Sequence, residues 1–136
     1  MREIKFRGKD KYGVWHYGGY VDYMGKPRIV NEVNDGPLYA LATEQVIPET
    51  LGQYTGLRDK NGVEIYEGDI VRSAWGGSPG VVRIGTYNDG FLEYAPTICG
   101  VYCSEIGANN NFRLTQYFTD EVEVLSNIHD SPEQLK

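Results

Sequence analysis

The stretch Gln53-Tyr-Thr-Gly-Leu-Arg-Asp-Lys-Asn-Gly-Val-Glu-Ile-Tyr-Glu-Gly-Asp-Ile-Val71 decides how this chain is read. Its centre, Asp59-Lys60-Asn61-Gly62, is turn chemistry. Asn and Gly tolerate positive φ, and a two-residue hairpin loop requires that at both central positions, so Asn61 and Gly62 are expected there. Apolar residues then recur at alternate positions, Val63 and Ile65, which is the period of a strand. Continued two by two, the same face would next carry Glu67 and Asp69, so the phase must break. Gly68 is the place for that break, as a bulge or tight bend. Ile70 and Val71 open a new strand.

Working outward, the upstream chain reads as a series of hairpins. Ile4 and Phe6 alternate with charged residues in a first strand over residues 2–7. Lys11-Tyr12-Gly13 is a turn, and residues 14–23 form a second strand in which Gly18 and Gly19 mark a bulge or close approach. Met24-Gly25-Lys26-Pro27 is a second turn and residues 28–33 a third strand. Residues 38–42 fit either a strand or one helical turn, and residues 44–47 a short strand stopped by Pro48. Downstream, a strand runs to Trp75, residues 76–80 form a glycine-rich loop, and residues 81–84 and 91–94 are strands around an Asn88-Asp89-Gly90 turn. This order suggests a small SH3-like barrel. Residues 95–114 carry little signal, residues 112–118 and the Val122–Val124 alternation read as strands, and Ser131-Pro132-Glu133 starts one helical turn. No internal repeat appears at the usual periods.

Three segments, Thr55-Gly56-Leu57, Asp59-Lys60-Asn61-Gly62 and Glu67-Gly68-Asp69-Ile70-Val71, closely resemble the YopX family, small proteins of phages and prophages. Lys5-Phe6-Arg7-Gly8-Lys9 with Trp15 and Tyr17-Gly18 resembles the family's opening, and Pro48 to Tyr54 its approach to the central motif. The resemblance covers most of residues 1–71. It implies no activity, because the family has none established; the chain length of 136 residues is that of a single YopX-like domain over residues 1–136.

Composition agrees with a β-rich reading. Of 136 residues 11 are Tyr and 17 are Gly, which suits short strands and tight turns better than helices. A chain this long buries enough surface to fold without a metal or disulfide. The net charge of −6 opposes a general nucleic-acid binder, which shows a basic face. The local exception is the run Arg2, Lys5, Arg7, Lys9 and Lys11, read as charges alternating along one side of a strand. A solvated strand face is the favoured explanation over a phosphate-contacting stripe. With no apolar leader and no span of bilayer length, the expected location is the host cytosol, where Cys99 and Cys103 are reduced.

Each constellation with catalytic potential has a plainer explanation. Gly76-Gly77-Ser78-Pro79-Gly80 matches the G-x-S-x-G elbow, but Pro79 lacks the N–H that the oxyanion hole needs. Cys99 and Cys103 are spaced too widely for a redox pair, and a zinc site would consume both histidines, His16 and His129, as well. Glu64, Glu67 and Asp69 are close enough in sequence for a divalent cation or an acid–base pair, but Asp69 after Gly68 suits a side chain bonding its own turn. Among the aromatics, Trp15, Tyr17 and Tyr23 share one parity, while His16 and Tyr20 share the other. The first set is expected in the core and the second on the surface.

The expected protein is therefore mainly β: twisted hairpins, a β layer over residues 1–50, and a small SH3-like barrel over residues 51–136. It is expected to be non-enzymatic, with no cofactor and no metal, and to bind another protein or itself. The expected contact surface is Lys5, Arg7, His16 and Tyr20. Gly56, Asp59, Asn61, Gly62, Glu67, Gly68 and Asp69 are expected to be structural. Two other readings stand beside this one: a single-stranded nucleic-acid binder using the basic strand and its aromatics, and a metal-dependent enzyme at Glu67 and Asp69.

Overall fold

A computed structural model describes residues 4–35, 38–73, 79–88, 97–106, 111–113 and 121–135. The described strands are all antiparallel and no α-helix occurs among them. The chain divides into two compact units, residues 1–54 and 55–136.

In the first unit, β1 (Phe6–Lys9), β2 (Trp15–Tyr23), β3 (Lys26–Asp35) and β4 (Leu38–Gln45) are successive hairpins. The sheet order is β4-β3-β2-β1, and the start of β5 (Gly52–Arg58) lies against β1 through Phe6–Gln53 and Arg7–Gly52 pairs. Residues 38–45 are one strand, so the separate strand expected over residues 44–47 is absent. The β2–β3 connection is a two-residue turn in which Met24 (φ 53°) and Gly25 (φ 79°) are both left-handed. That is the backbone of a type I′ turn, whose twist matches the flanking strands. Ile29 and Val46 are buried hydrophobic residues of this unit. Val46 packs on the backbone of Gly8, where an added Cβ would lie 2.6 Å from a Val46 methyl, so the strand must carry glycine there. Thr50 closes the 3-10 turn Pro48–Thr50: its hydroxyl donates to the Ile47 carbonyl (2.6 Å) and accepts from the Lys9 amide (2.9 Å).

In the second unit the later residues of β5 pair with β6 (Glu64–Tyr66). A five-stranded sheet follows: β7 (Asp69–Ser73), β8 (Gly80–Asn88), β9 (Thr97–Glu105), β10 (Asn111–Arg113) and β11 (Val122–Asn127), in the order β10-β9-β8-β7-β11. Ile65, Val71, Val82 and Val122 form its buried cluster, with Leu57, Val101, Cys103 and Val124 packed around it. The expected SH3-like barrel is not found. The edge strands β10 and β11 do not pair with each other, so the described sheet is open. The expected strand at residues 91–94 lies outside the described residues, and the weakly patterned stretch after residue 95 contributes the long strand β9.

The central hairpin departs from expectation in one respect. Asn61 does not have positive φ; Gly62 alone does, at 80°. The loop is three residues long: the Gly62 amide donates to the Asp59 carbonyl (3.0 Å) and the Asp59 amide to the Val63 carbonyl (2.8 Å). This is a type I turn closed by a left-handed glycine. The Asp59 carboxylate selects it by accepting from the Asn61 amide (2.8 Å) and the Val63 amide (2.9 Å).

Between β6 and β7 the chain passes from one sheet to the other at Tyr66-Glu67-Gly68-Asp69. The Asp69 carboxylate accepts the Tyr66 amide (2.7 Å), and Gly68 turns the backbone at φ 92°. The Gly68 amide donates to Val82 and its carbonyl accepts from Ile128. Because an L side chain in the left-handed region costs about 1–2 kcal/mol, Gly68→Ala should destabilise by ~1 kcal/mol or more in denaturant unfolding. An unchanged midpoint would remove Gly68's conformation as the reason for glycine.

Candidate functional site

The first unit carries a second copy of the turn just described. Asp10-Lys11-Tyr12-Gly13-Val14 repeats the pattern Asp59-Lys60-Asn61-Gly62-Val63. The Gly13 amide donates to the Asp10 carbonyl (3.0 Å), the Asp10 amide to the Val14 carbonyl (2.9 Å), and the Asp10 carboxylate accepts from the Tyr12 (2.8 Å) and Val14 (3.0 Å) amides. Sequence reading placed a turn here without noticing the shared Asp-Lys-x-Gly-Val, too short a repeat for any period search. The two copies differ in the remaining carboxylate oxygen. At Asp59 it accepts the Val124 amide of β11 (3.0 Å); at Asp10 it accepts from His16 Nε2 (2.8 Å).

The hydrogen bond from His16 is the largest reason that the Asp10 carboxyl is held below the usual carboxylate range, followed by the Val14 amide. A depressed pKa means that folding favours the ionised form. The contribution is therefore complete above the ordinary carboxylate pKa, roughly 4, and is lost as pH falls through the lowered value. Hydrogen exchange at the Tyr12 and Val14 amides should accordingly show protection, referred to the intrinsic rate, that Asp10 titration leaves unchanged from neutrality to about pH 4 and that falls below it. In Asp10→Ala that protection should be low at every pH. Equal protection in parent and variant would show that the carboxylate does not hold the turn.

The residues expected to form one contact surface lie on two faces. Cross-strand pairs Arg7–Tyr17 and Lys9–Trp15 place those residues on one side of the sheet, and Phe6–Gly18 and Gly8–His16 on the other. Lys5 sits with its ammonium over the Tyr54 ring (5.4 Å), while Arg7 is buried with its guanidinium over Trp15 (4.8 Å). His16 is half-buried against Asp10, and Tyr20 packs its ring on Phe6 (5.5 Å between centroids). Tyr20 is exposed as expected, whereas the expected burial of Tyr17 and Tyr23 fails. Tyr17 and Tyr23, assigned to the core, are 46% and 64% exposed, more than Tyr20 at 41%. The alternation is sound; which face a sheet buries is decided by what packs on it, and sequence parity does not contain that. Of the basic run, Lys11 lies in the turn and Arg2 outside the described residues.

Exposure rises towards the tip of the β2–β3 hairpin. Val21 is 40% exposed and Met24 83%. Met24 is also the single non-glycine residue with positive φ among the described residues. An unbranched apolar side chain is thus held out at the tip, in a conformation that L residues enter at some cost. Sequence reading gave a turn here, but a Met-Gly pair lacks the Asn or Asp that signals type I′.

Two of the carboxylates considered for chemistry, Glu64 and Asp69, make hydrogen bonds within the fold. Glu64 accepts the Tyr66 hydroxyl (3.1 Å) and lies 3.7 Å from the Arg58 guanidinium. Asp69 is fully buried on the Tyr66 amide, and Glu67 is half-buried beside it. Among the described residues no three His, Cys, Asp or Glu side chains are grouped to hold a metal ion. Cys103 is half-buried with its sulfur against Gly80; Ser78 and the Cys99 side chain lie outside the described residues. No helix of the described residues is long and apolar enough to cross a membrane.

Fold and motif together define a small antiparallel β protein in which the polar residues of the central stretch hold its own turns. The chain belongs to the YopX family: the family model described as YopX protein matches residues 5–136. Among solved structures it is similar to the crystal structure of protein EF1440 from Enterococcus faecalis, with a TM-score of 0.60, 21% sequence identity and 100% of both chains covered. That likeness extends the fold and no further. No curated protein matches the chain.

Proposed function

We propose that this chain is a non-enzymatic phage or prophage accessory protein, working in the host cytosol, that binds another protein through the β2–β3 hairpin. The observation that carries the reading is the exposed apolar set Tyr17, Val21, Tyr23 and Met24 on a short, well-paired hairpin. Contiguous exposed apolar surface on a small protein marks interaction sites, and aromatic residues and Met are enriched at the centres of such interfaces. The left-handed Met24 adds to this. Asn or Gly at that position would be less strained, so Met there fits a demand from outside the fold. The phage setting rests on the family, and the non-enzymatic reading on Asp59 and Asp69 being engaged in turns.

Nucleic acid as the partner is less well supported. The Trp15 ring, the largest aromatic surface of the sheet, is approached by Arg7 at 4.8 Å and Lys9 at 5.7 Å, so cations occupy the place a stacked base would take.

The test is affinity capture from infected or prophage-induced cells with the parent, Tyr23→Ala and Met24→Asn. The parent should retain a protein that both variants lose, while Met24→Asn unfolds at higher denaturant by about 0.5–1 kcal/mol, because Asn tolerates the left-handed region. Sedimentation of the parent alone distinguishes self-association. Equal capture by all three chains, or capture of nucleic acid in place of protein, would contradict the proposal.

A further inference from the structure

The partner's chemistry can be read from charge and register. Residues 1–28 contain seven Lys and Arg against three Asp and Glu, whereas residues 29–136 contain six against sixteen. The acidic whole-chain balance thus conceals a basic N-terminal segment, and pairing concentrates it on one sheet face. Arg7 lies opposite Tyr17 and Lys9 opposite Trp15 on the β1 side of β2; Arg28 lies opposite Val21 and Lys26 opposite Tyr23 on the β3 side. Each aromatic or apolar residue of the exposed row therefore has a cation beside it on a neighbouring strand.

Three acidic residues nearby are directed elsewhere, while Glu32, opposite Leu41, has the strand parity of Arg28. Asp22 pairs with Pro27 and Glu44 with Ile29, both on the opposite face, and Asp10 is in the turn with His16. Among the described side chains on the Tyr17 face of β1–β4 none is acidic. Arg28 is held in place by Thr43, with Nε donating to the hydroxyl (2.9 Å) and Nη2 to the carbonyl (3.1 Å). A guanidinium fixed in this way is set to use its other N–H groups on a carboxylate at little further entropic cost.

We infer that this face receives an acidic, extended polypeptide segment of the partner protein. The inference rests on the protein-binding reading above and adds the partner's chemistry to it. An extended chain laid along β2 presents side chains on one face at about 7 Å intervals; Val21 and Tyr23 are one such step apart, and Tyr17 and Val21 two, with Gly19 between them. Apolar residues of such a segment would meet the row itself, and its carboxylates the cations Lys26 and Arg28, Arg7 being buried on Trp15. Aliphatic Val21 and Met24 at the distal end suit side chains better than bases.

Fluorescence anisotropy tests this with three labelled probes: a peptide alternating glutamate and leucine, the same peptide with glutamine for glutamate, and an oligothymidylate. The acidic peptide should bind about tenfold or more tightly than the glutamine peptide at low salt, with the ratio shrinking as ionic strength rises. Lys26→Glu, at an exposed hairpin position, should weaken the acidic peptide by roughly fivefold or more, and Lys26→Gln by less. Unfolding midpoints near the parent's confirm that both variants fold. Equal binding of the two peptides would overturn the acidic preference while leaving a protein-binding face. Tightest binding of the oligothymidylate would overturn both readings, and no binding of the acidic peptide would overturn the inference.

Discussion

The carboxylate of Asp59 makes three hydrogen bonds to backbone amides, and the architecture of the second unit depends on them. Two, from Asn61 and Val63, fix the turn between β5 and β6. The third, from Val124, ties that turn to β11, 65 residues further along the chain. The Lys60 amide adds a bond to the Val122 carbonyl beside it (2.9 Å). Asp59 is 5% exposed, so its carboxylate is satisfied within the fold, and a buried hydrogen-bonding group left without its partner costs about 1–3 kcal/mol. A backbone carbonyl cannot replace the carboxylate, because it cannot reach into the loop and across to another strand at once.

The other motif residues extend the same logic. The Thr55 hydroxyl donates to the Ile65 carbonyl (2.7 Å) and accepts the Leu57 amide (3.1 Å), spanning Gly56, whose φ is 84°. Asp69 and Gly68 turn the corner between the sheets. Three short side chains and three left-handed glycines thus set the local path of β5, β6 and β7. Ile65, Val71 and Val82 can then meet in one cluster, because each strand arrives in a fixed phase. In the first unit Asp10 repeats the device and spends its last oxygen on a side chain, His16, instead of a distant strand.

Much of the fold was legible in the sequence because turns are local. Asp-x-x-Gly, the Gly68 phase break and the alternation of β2 all act within a few residues, so composition and spacing reveal them. The length of the central loop was not legible: Asn-Gly favours two left-handed residues, and the carboxylate of Asp59, acting across four residues, overrides that preference. Equally hidden was β9, whose residues Thr97–Glu105 mix glycine and cysteine into a strand held by its pairing with β8. The surface was the least legible part. Parity separated Tyr17 and Tyr23 from Tyr20 correctly, but choosing the buried side required knowing that Val46 packs on Gly8. The basic run was visible, whereas its placement beside the aromatic row needed the β1–β2 and β2–β3 registers.

The Asp59 carboxylate is consumed in holding the backbone, and Asp59→Asn tests this directly. Asparagine keeps one acceptor oxygen for the turn amides but points an N–H group at the Val124 amide. Denaturant unfolding with and without Mg²⁺ or Mn²⁺, followed by hydrogen exchange at Val124, reads out both terms. If the carboxylate holds the backbone, the variant loses about 1–3 kcal/mol, Val124 exchanges faster and neither protein depends on divalent ions. Unchanged stability, or a metal-dependent gain in the parent that vanishes in the variant, would contradict it.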